Sequence, residues 1–145
     1  MSQENVEVVR RMYEAFHSGD AEGALAHFDP EVVVDATMRV DAGIGHGREA
    51  LSAIISRWLA TFDEWREEIE EMRDLGSQVC VVLTQYGRGK GGGIETETRY
   101  AVLYEVRGNQ ITRMTLYPGP VAALDAVGAA GVAMAIGRAT LSRTA

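Results

Sequence analysis

Cysteine, proline and positive charge are all scarce in this sequence, and each scarcity removes a class of explanation. A lone cysteine, Cys80, permits no internal disulfide, so nothing argues for an oxidising compartment. Lysine and arginine total 14 against 21 aspartates and glutamates, a net charge of −7. A surface that neutralises phosphates needs the opposite balance, which excludes nucleic acid as a partner. Long hydrophobic runs are missing too. Residues 121–136 hold a single charge, Asp125, but are rich in alanine and glycine and fall short of the roughly 20 apolar residues of a membrane span. They predict a small-residue helix packed tightly on the protein, and no membrane partner. The first nine residues carry Glu4 and Glu7 without a basic start or an apolar centre, so no signal peptide is expected and the expected location is cytoplasmic.

What remains is the profile of one packed domain. The 145 residues are 46% apolar and 24% charged, and two independent cores would not fit comfortably in that length. No internal repeat or linker divides the chain, so residues 1–145 are taken as a single domain. Glycine is in excess, with 16 residues where about 7% is usual. Three stand at 43, 45 and 47 and five between 87 and 93, an arrangement of turns.

Apolar periodicity predicts the elements. Val6, Val9, Tyr13 and Phe16 form one helical stripe, stopped by Gly19. Asp20 is an N-cap for a short second helix running through Leu25 and Phe28 to Asp29-Pro30. A third helix follows Gly47 and buries Leu51, Ile54, Ile55, Trp58, Leu59 and Phe62. Strands are predicted over residues 32–38, 79–88, 96–106 and 111–117, the last three joined as an antiparallel meander by the glycine-dense 87–93 and by Gly108-Asn109. Pro120 suits the start of a final helix. Trp65, Ile69, Met72 and Leu75 stand at helical spacing, so residues 65–75 taken alone read as helix.

The string from Val9 to Asp20, the following His27-Phe28-Asp29-Pro30-Glu31-Val32, the glycine-rich Gly45-His46-Gly47-Arg48-Glu49-Ala50-Leu51 and the late Arg107-Gly108-Asn109-Gln110-Ile111 together resemble the SnoaL-like branch of the nuclear-transport-factor-2-like superfamily. The resemblance covers residues 4–125, leaving the small-residue tail 128–145 outside it. It implies an α+β fold, a cone-shaped barrel in which a curved antiparallel sheet wraps N-terminal helices around an apolar pocket. It also makes residues 65–75 a strand, and that reading is followed here. Members of the superfamily include isomerases, cyclases, dehydratases and epoxide hydrolases that need no cofactor, besides pure binding modules, and many form homodimers through the outer sheet face. No catalytic set of theirs transfers intact: Asp35 and Tyr13 each stand one position from the carboxylate and tyrosine of the ketosteroid isomerases, and Val102 replaces their acid.

Among individual residues, Asp35 is the candidate acid/base, since an inward carboxylate between Val34 and Ala36 would be desolvated and its pKa raised. Tyr13 is the candidate hydrogen-bond donor. Phe16, Trp58, Tyr86, Tyr100, Val102, Tyr104 and Met114 are the candidate ligand contacts, with Tyr100 and Tyr104 sharing a strand face. Residues 63–74 hold seven carboxylates, read as a solvated face. His17, His27 and His46 lack metal-ligand spacing, and no metal is expected. Gly87-Arg88-Gly89-Lys90-Gly91-Gly92 fits a dinucleotide fingerprint in letters only, because an extended segment follows it. Two functions stay open: a cofactor-independent acid–base enzyme acting on a small apolar, oxygenated molecule, and a non-catalytic ligand-binding or dimerisation module.

Overall fold

The computed structural model describes residues 2–39 and 42–128. Helix α1 (Ser2–His17) presents Val9, Met12 and Tyr13 to the core and ends where Gly19 takes a positive φ of 87°. Asp20 then caps α2 (Ala21–Leu25) by accepting from the Gly23 amide at 2.9 Å. The second helix is shorter than its apolar residues predict. Phe28 belongs to the next element, because Pro30 favours an extended chain before it.

Strand β1 (Phe28–Asp35) is followed by the short β2 (Ile44–His46), which the glycines at 43, 45 and 47 conceal in the sequence, and then by α3 (Gly47–Leu59). Gly47 has a φ of 89°, which lets the chain turn directly from β2 into the helix. The Arg48 guanidinium donates twice to the Phe28 carbonyl, at 2.9 and 2.6 Å, and ties α3 to the start of β1. Phe62 lies outside α3 and opens the long meander β3 (Phe62–Asp74), β4 (Gln78–Gly89), β5 (Glu95–Arg107) and β6 (Gln110–Tyr117). Gly108 and Asn109, at φ of 58° and 63°, make the tight turn between β5 and β6.

Residues 65–75 therefore fall mainly in a strand, and pairing explains their helical spacing. The β3–β4 register shifts between Phe62 and Glu64 and again between Ile69 and Glu71. Each bulge adds a residue, so spacings of three interrupt the alternation, while Trp65, Glu67 and Ile69 keep strict period two between them.

The sheet runs β2-β1-β6-β5-β4-β3. It is curved but open, with β2 and β3 as its edges, where the resemblance implies a barrel. Nor is it purely antiparallel: β1 pairs with β6 in parallel, as strands far apart in sequence are free to do when no hairpin joins them. Helices α1 and α3 pack on one face. There Val32, Val34, Val79, Val81, Leu83, Val102, Tyr104 and Leu116 build the main core. On the opposite face Cys80, Val82, Ala101 and Leu103 are buried with Ala123, from the helical residues 120–128, and the partly buried Leu75 and Val127 pack against them. Of the stretch 121–136 expected to pack tightly, residues 121–128 are described, and there Ala123 alone is buried while Val121 is 72% exposed. The remainder of that stretch and the tail to 145 lie outside the described residues. No described helix is long and apolar enough to cross a membrane.

Candidate functional site

Between α1, α2, α3 and the concave face lies a cavity of about 200 Å³. Its walls are mostly apolar, with Leu51, Ile55, Val102, Met114 and Leu116 among them, and its polar groups are few and convergent.

The sheet supplies the polar end. Tyr100 and Tyr104, four residues apart on β5 and so on the same face, both point inward, and the Tyr104 hydroxyl lies 2.6 Å from that of Tyr13 on α1. Tyr100 donates its hydroxyl to Glu67 Oε1 at 2.7 Å, and Glu67 Oε2 lies 2.8 Å from His17 Nε2 at the end of α1. The Glu67 side chain is 3% exposed, which singles it out from the other acids of β3. Burial holds the Tyr13, Tyr100 and Tyr104 phenols well above their ordinary pKa. All three therefore remain protonated at neutral pH. Two hydroxyls share the single Tyr13–Tyr104 bond, so that pair retains one proton for a ligand oxygen. Glu67, with two partners and about four lone-pair sites, keeps acceptor capacity.

A second set of bonds fixes the aromatic wall. Gln85, 3% exposed on β4, accepts from Trp58 Nε1 at 2.7 Å and from Trp65 Nε1 at 2.8 Å. Trp58 in turn carries the Arg39 guanidinium 4.0 Å above its ring, and Tyr100 lies 5.7 Å from the same group. Burial lowers the Arg39 pKa.

Of the residues singled out by sequence, Tyr13, Phe16, Trp58, Tyr100, Val102, Tyr104 and Met114 surround this one cavity. Asp35 and Tyr86 do not. Asp35 follows Val34 on β1 and so points to the opposite face. There it accepts from the Thr37 hydroxyl at 2.6 Å and faces Arg113 at 3.4 Å. The Thr37 hydrogen bond lowers its pKa, whereas an inward, desolvated Asp35 would have a raised one. Tyr86 likewise alternates with the inward Gln85 and lies under the Arg66 guanidinium, 3.8 Å away. Of the four candidate tyrosines, Tyr13, Tyr100 and Tyr104 line the cavity.

Residues 9–114 match the SnoaL-like domain. The chain belongs to the SnoaL-like family. No curated protein matches the chain. Solved structures with this SnoaL-like fold include an NTF2-like protein of unknown function from Burkholderia pseudomallei, 22% identical, covering 83% of this chain and 94% of its own, at a TM-score of 0.70. A candidate polyketide cyclase from Xanthomonas campestris is 25% identical over 80% of this chain and 90% of its own, at a TM-score of 0.62. A protein with a ketosteroid isomerase-like fold from Catenulispora acidiphila, solved with trimethylamine, is 21% identical over 78% and 85%, at a TM-score of 0.65.

Within this SnoaL-like site, sequence reasoning passed over Glu67, His17, Gln85 and Arg39. The signal for Glu67 was present, because it stands between Trp65 and Ile69 at period two. The acidic run around it hid that signal. His17 shows in the sequence only as one of three scattered histidines, and Gln85 and Arg39 carry no pattern of their own.

Proposed function

We propose that this SnoaL-like protein binds a small, ring-sized, carbonyl-bearing molecule and transfers a proton on it, with Glu67 as base and the Tyr13–Tyr104 pair as donor to the carbonyl oxygen. The observation that carries the reading is the buried Glu67 carboxylate at the polar end of an otherwise apolar cavity. A cavity of about 200 Å³ compares with the roughly 150 Å³ that accepts benzene, so the ligand has one ring rather than four. In the proposed step Glu67 removes a proton from the carbon next to the carbonyl. The electron pair moves onto the oxygen, where the free phenol proton stabilises the enolate. Glu67 then returns the proton to carbon. His17 and Tyr100 hold the carboxylate in place throughout.

The test is deuterium incorporation into cyclohexanone-type ketones in D₂O, followed by NMR. Glu67→Gln should slow the protein-catalysed exchange by about 100-fold or more while ketone binding persists. Equal exchange in both proteins would overturn the assignment. One observation favours a second reading, a pure binding module: both Glu67 oxygens already have partners, Tyr100 and His17. Ketones that saturate the cavity without any accelerated exchange would establish that alternative.

A further inference from the structure

Most arginines of the acidic surface are ion-paired, while Arg48 is bound to a backbone carbonyl. Arg10, Arg66, Arg73, Arg88, Arg99 and Arg113 each lie within ion-pair distance of a carboxylate. Arg39 does not. Its guanidinium is stacked on Trp58 and within reach of Tyr100, and among the described residues no acceptor takes a hydrogen bond from it and no carboxylate lies within 4.0 Å. Among the described residues that line the cavity it is the only basic one. A guanidinium stacked by its face on an aromatic ring keeps its in-plane N–H groups for another partner, and that fork matches a carboxylate or an enolate.

The immediate surroundings reinforce this. The stack is itself held, since the Trp58 indole is hydrogen-bonded to buried Gln85. Glu67 is the nearby acid and its charge is felt at Arg39, but its oxygens are bonded to Tyr100 and His17 and none lies within ion-pair distance of the guanidinium. A cation partly removed from water, with its donors unmatched by the protein, is completed by an anionic ligand group. Arg39 and Trp58 also border a second hollow lined by Met38, Ala42, Ile54, Arg57 and Thr61, so the guanidinium stands at the boundary between two recesses.

We infer that Arg39 is the specificity residue of the cavity and that the preferred ligand is a monocyclic organic acid, its carboxylate on Arg39 and its ring against the apolar wall. This rests on the cavity being a ligand site, as proposed above, and adds the charge of the ligand to its size. Glu67 and the tyrosine pair then face the remainder of the same molecule.

The experiment is calorimetric titration of the full chain with benzoate and phenylacetate, and with their neutral counterparts acetophenone and phenylacetone, repeated for Arg39→Gln and Arg39→Lys. The acids should bind wild-type protein more tightly than the ketones. Arg39→Gln should weaken the acids by roughly 10- to 100-fold while ketone affinity, which also reports an intact fold, stays within about threefold. Arg39→Lys should lie between, since it keeps the charge and loses the fork. Acid binding unchanged in Arg39→Gln, or ketones bound and acids rejected by wild type, would overturn the role of Arg39 and leave the cavity as a neutral-ligand site. Neither class binding would overturn the cavity reading itself, and the inference with it.

Discussion

Gln85 holds more of the site than its modest chemistry suggests. One amide oxygen receives both indole N–H groups, so the two aromatic side chains are set by a single acceptor. Gln85→Leu would leave two partly buried donors without a partner, at about 1–3 kcal/mol each. Urea denaturation should show a loss of roughly 2–4 kcal/mol, and a loss below about 0.5 kcal/mol would mean that other groups fix the indoles. At this scale the sequence was legible where side chains obey a period. Tyr100, Val102 and Tyr104 occupy alternate rows of one strand together with Tyr13 and Phe16 on one helical stripe, and all five reach the cavity. Asp35 shows the limit of composition without parity. Its β-branched neighbours suggest an interior setting, yet a step of one residue along β1 carries it to the other face. Arg39 follows β1 in a segment with no period, where only contacts in three dimensions reveal a role.

The element that departs most from simple patterning is β3. Its bulges place Glu67 inward and most of the surrounding acids outward, so the same acidic run makes both a solvated face and a buried carboxylate. This gives a paired prediction. Deleting Glu70 removes a bulge residue and leaves Ile69 opposite Leu83 and Met72 opposite Val81, so the strand keeps its faces. Deleting Glu68 instead shifts Glu67 by one position relative to Ile69 and turns it outward. Thermal melting should therefore show a much larger fall for the Glu68 deletion, together with lost ligand binding. A Glu70 deletion that proves as damaging would mean that curvature, rather than register, is what the bulge supplies. Residues 65–75 illustrate why local spacing misleads: a bulge imitates a helical step, and only the pairing partner tells them apart. The helix ends at Leu25 and Leu59 were overrun for a related reason, since Phe28 and Phe62 are buried or half-buried strand residues that continue an apolar pattern past the last helical turn.

For the molecule as a whole, the resemblance carried the architecture and the register supplied the corrections, an open sheet and a parallel β1–β6 pair. The face opposite the helices is not bare. Ala123 is fully buried there against Cys80, Val82, Ala101 and Leu103, so a homodimer through this face, as the resemblance implies, would have to displace or incorporate the helical residues 120–128. Stability should also fall in alkali. Burial raises the Tyr13, Tyr100 and Tyr104 phenols above the ordinary value near 10. Their contribution is complete below pH about 10 and declines above it, because the unfolded chain releases protons that the folded chain retains. Each phenol contributes a slope of about 1.4 kcal/mol per pH unit, and Tyr104→Phe should remove one share of it. Denaturation curves from pH 8 to 11.5 would test this, with a flat profile above pH 10 counting against buried phenols.

The shared acceptor on Gln85 has an optical consequence. The chain has two tryptophans, and both are bonded to the same amide at the cavity wall, one of them beneath a guanidinium. Indole emission from this protein is therefore not an average over distant sites. Any molecule that enters the cavity, disturbs the Arg39 stack or moves the amide changes the surroundings of both fluorophores, so unlabelled protein reports its own occupancy.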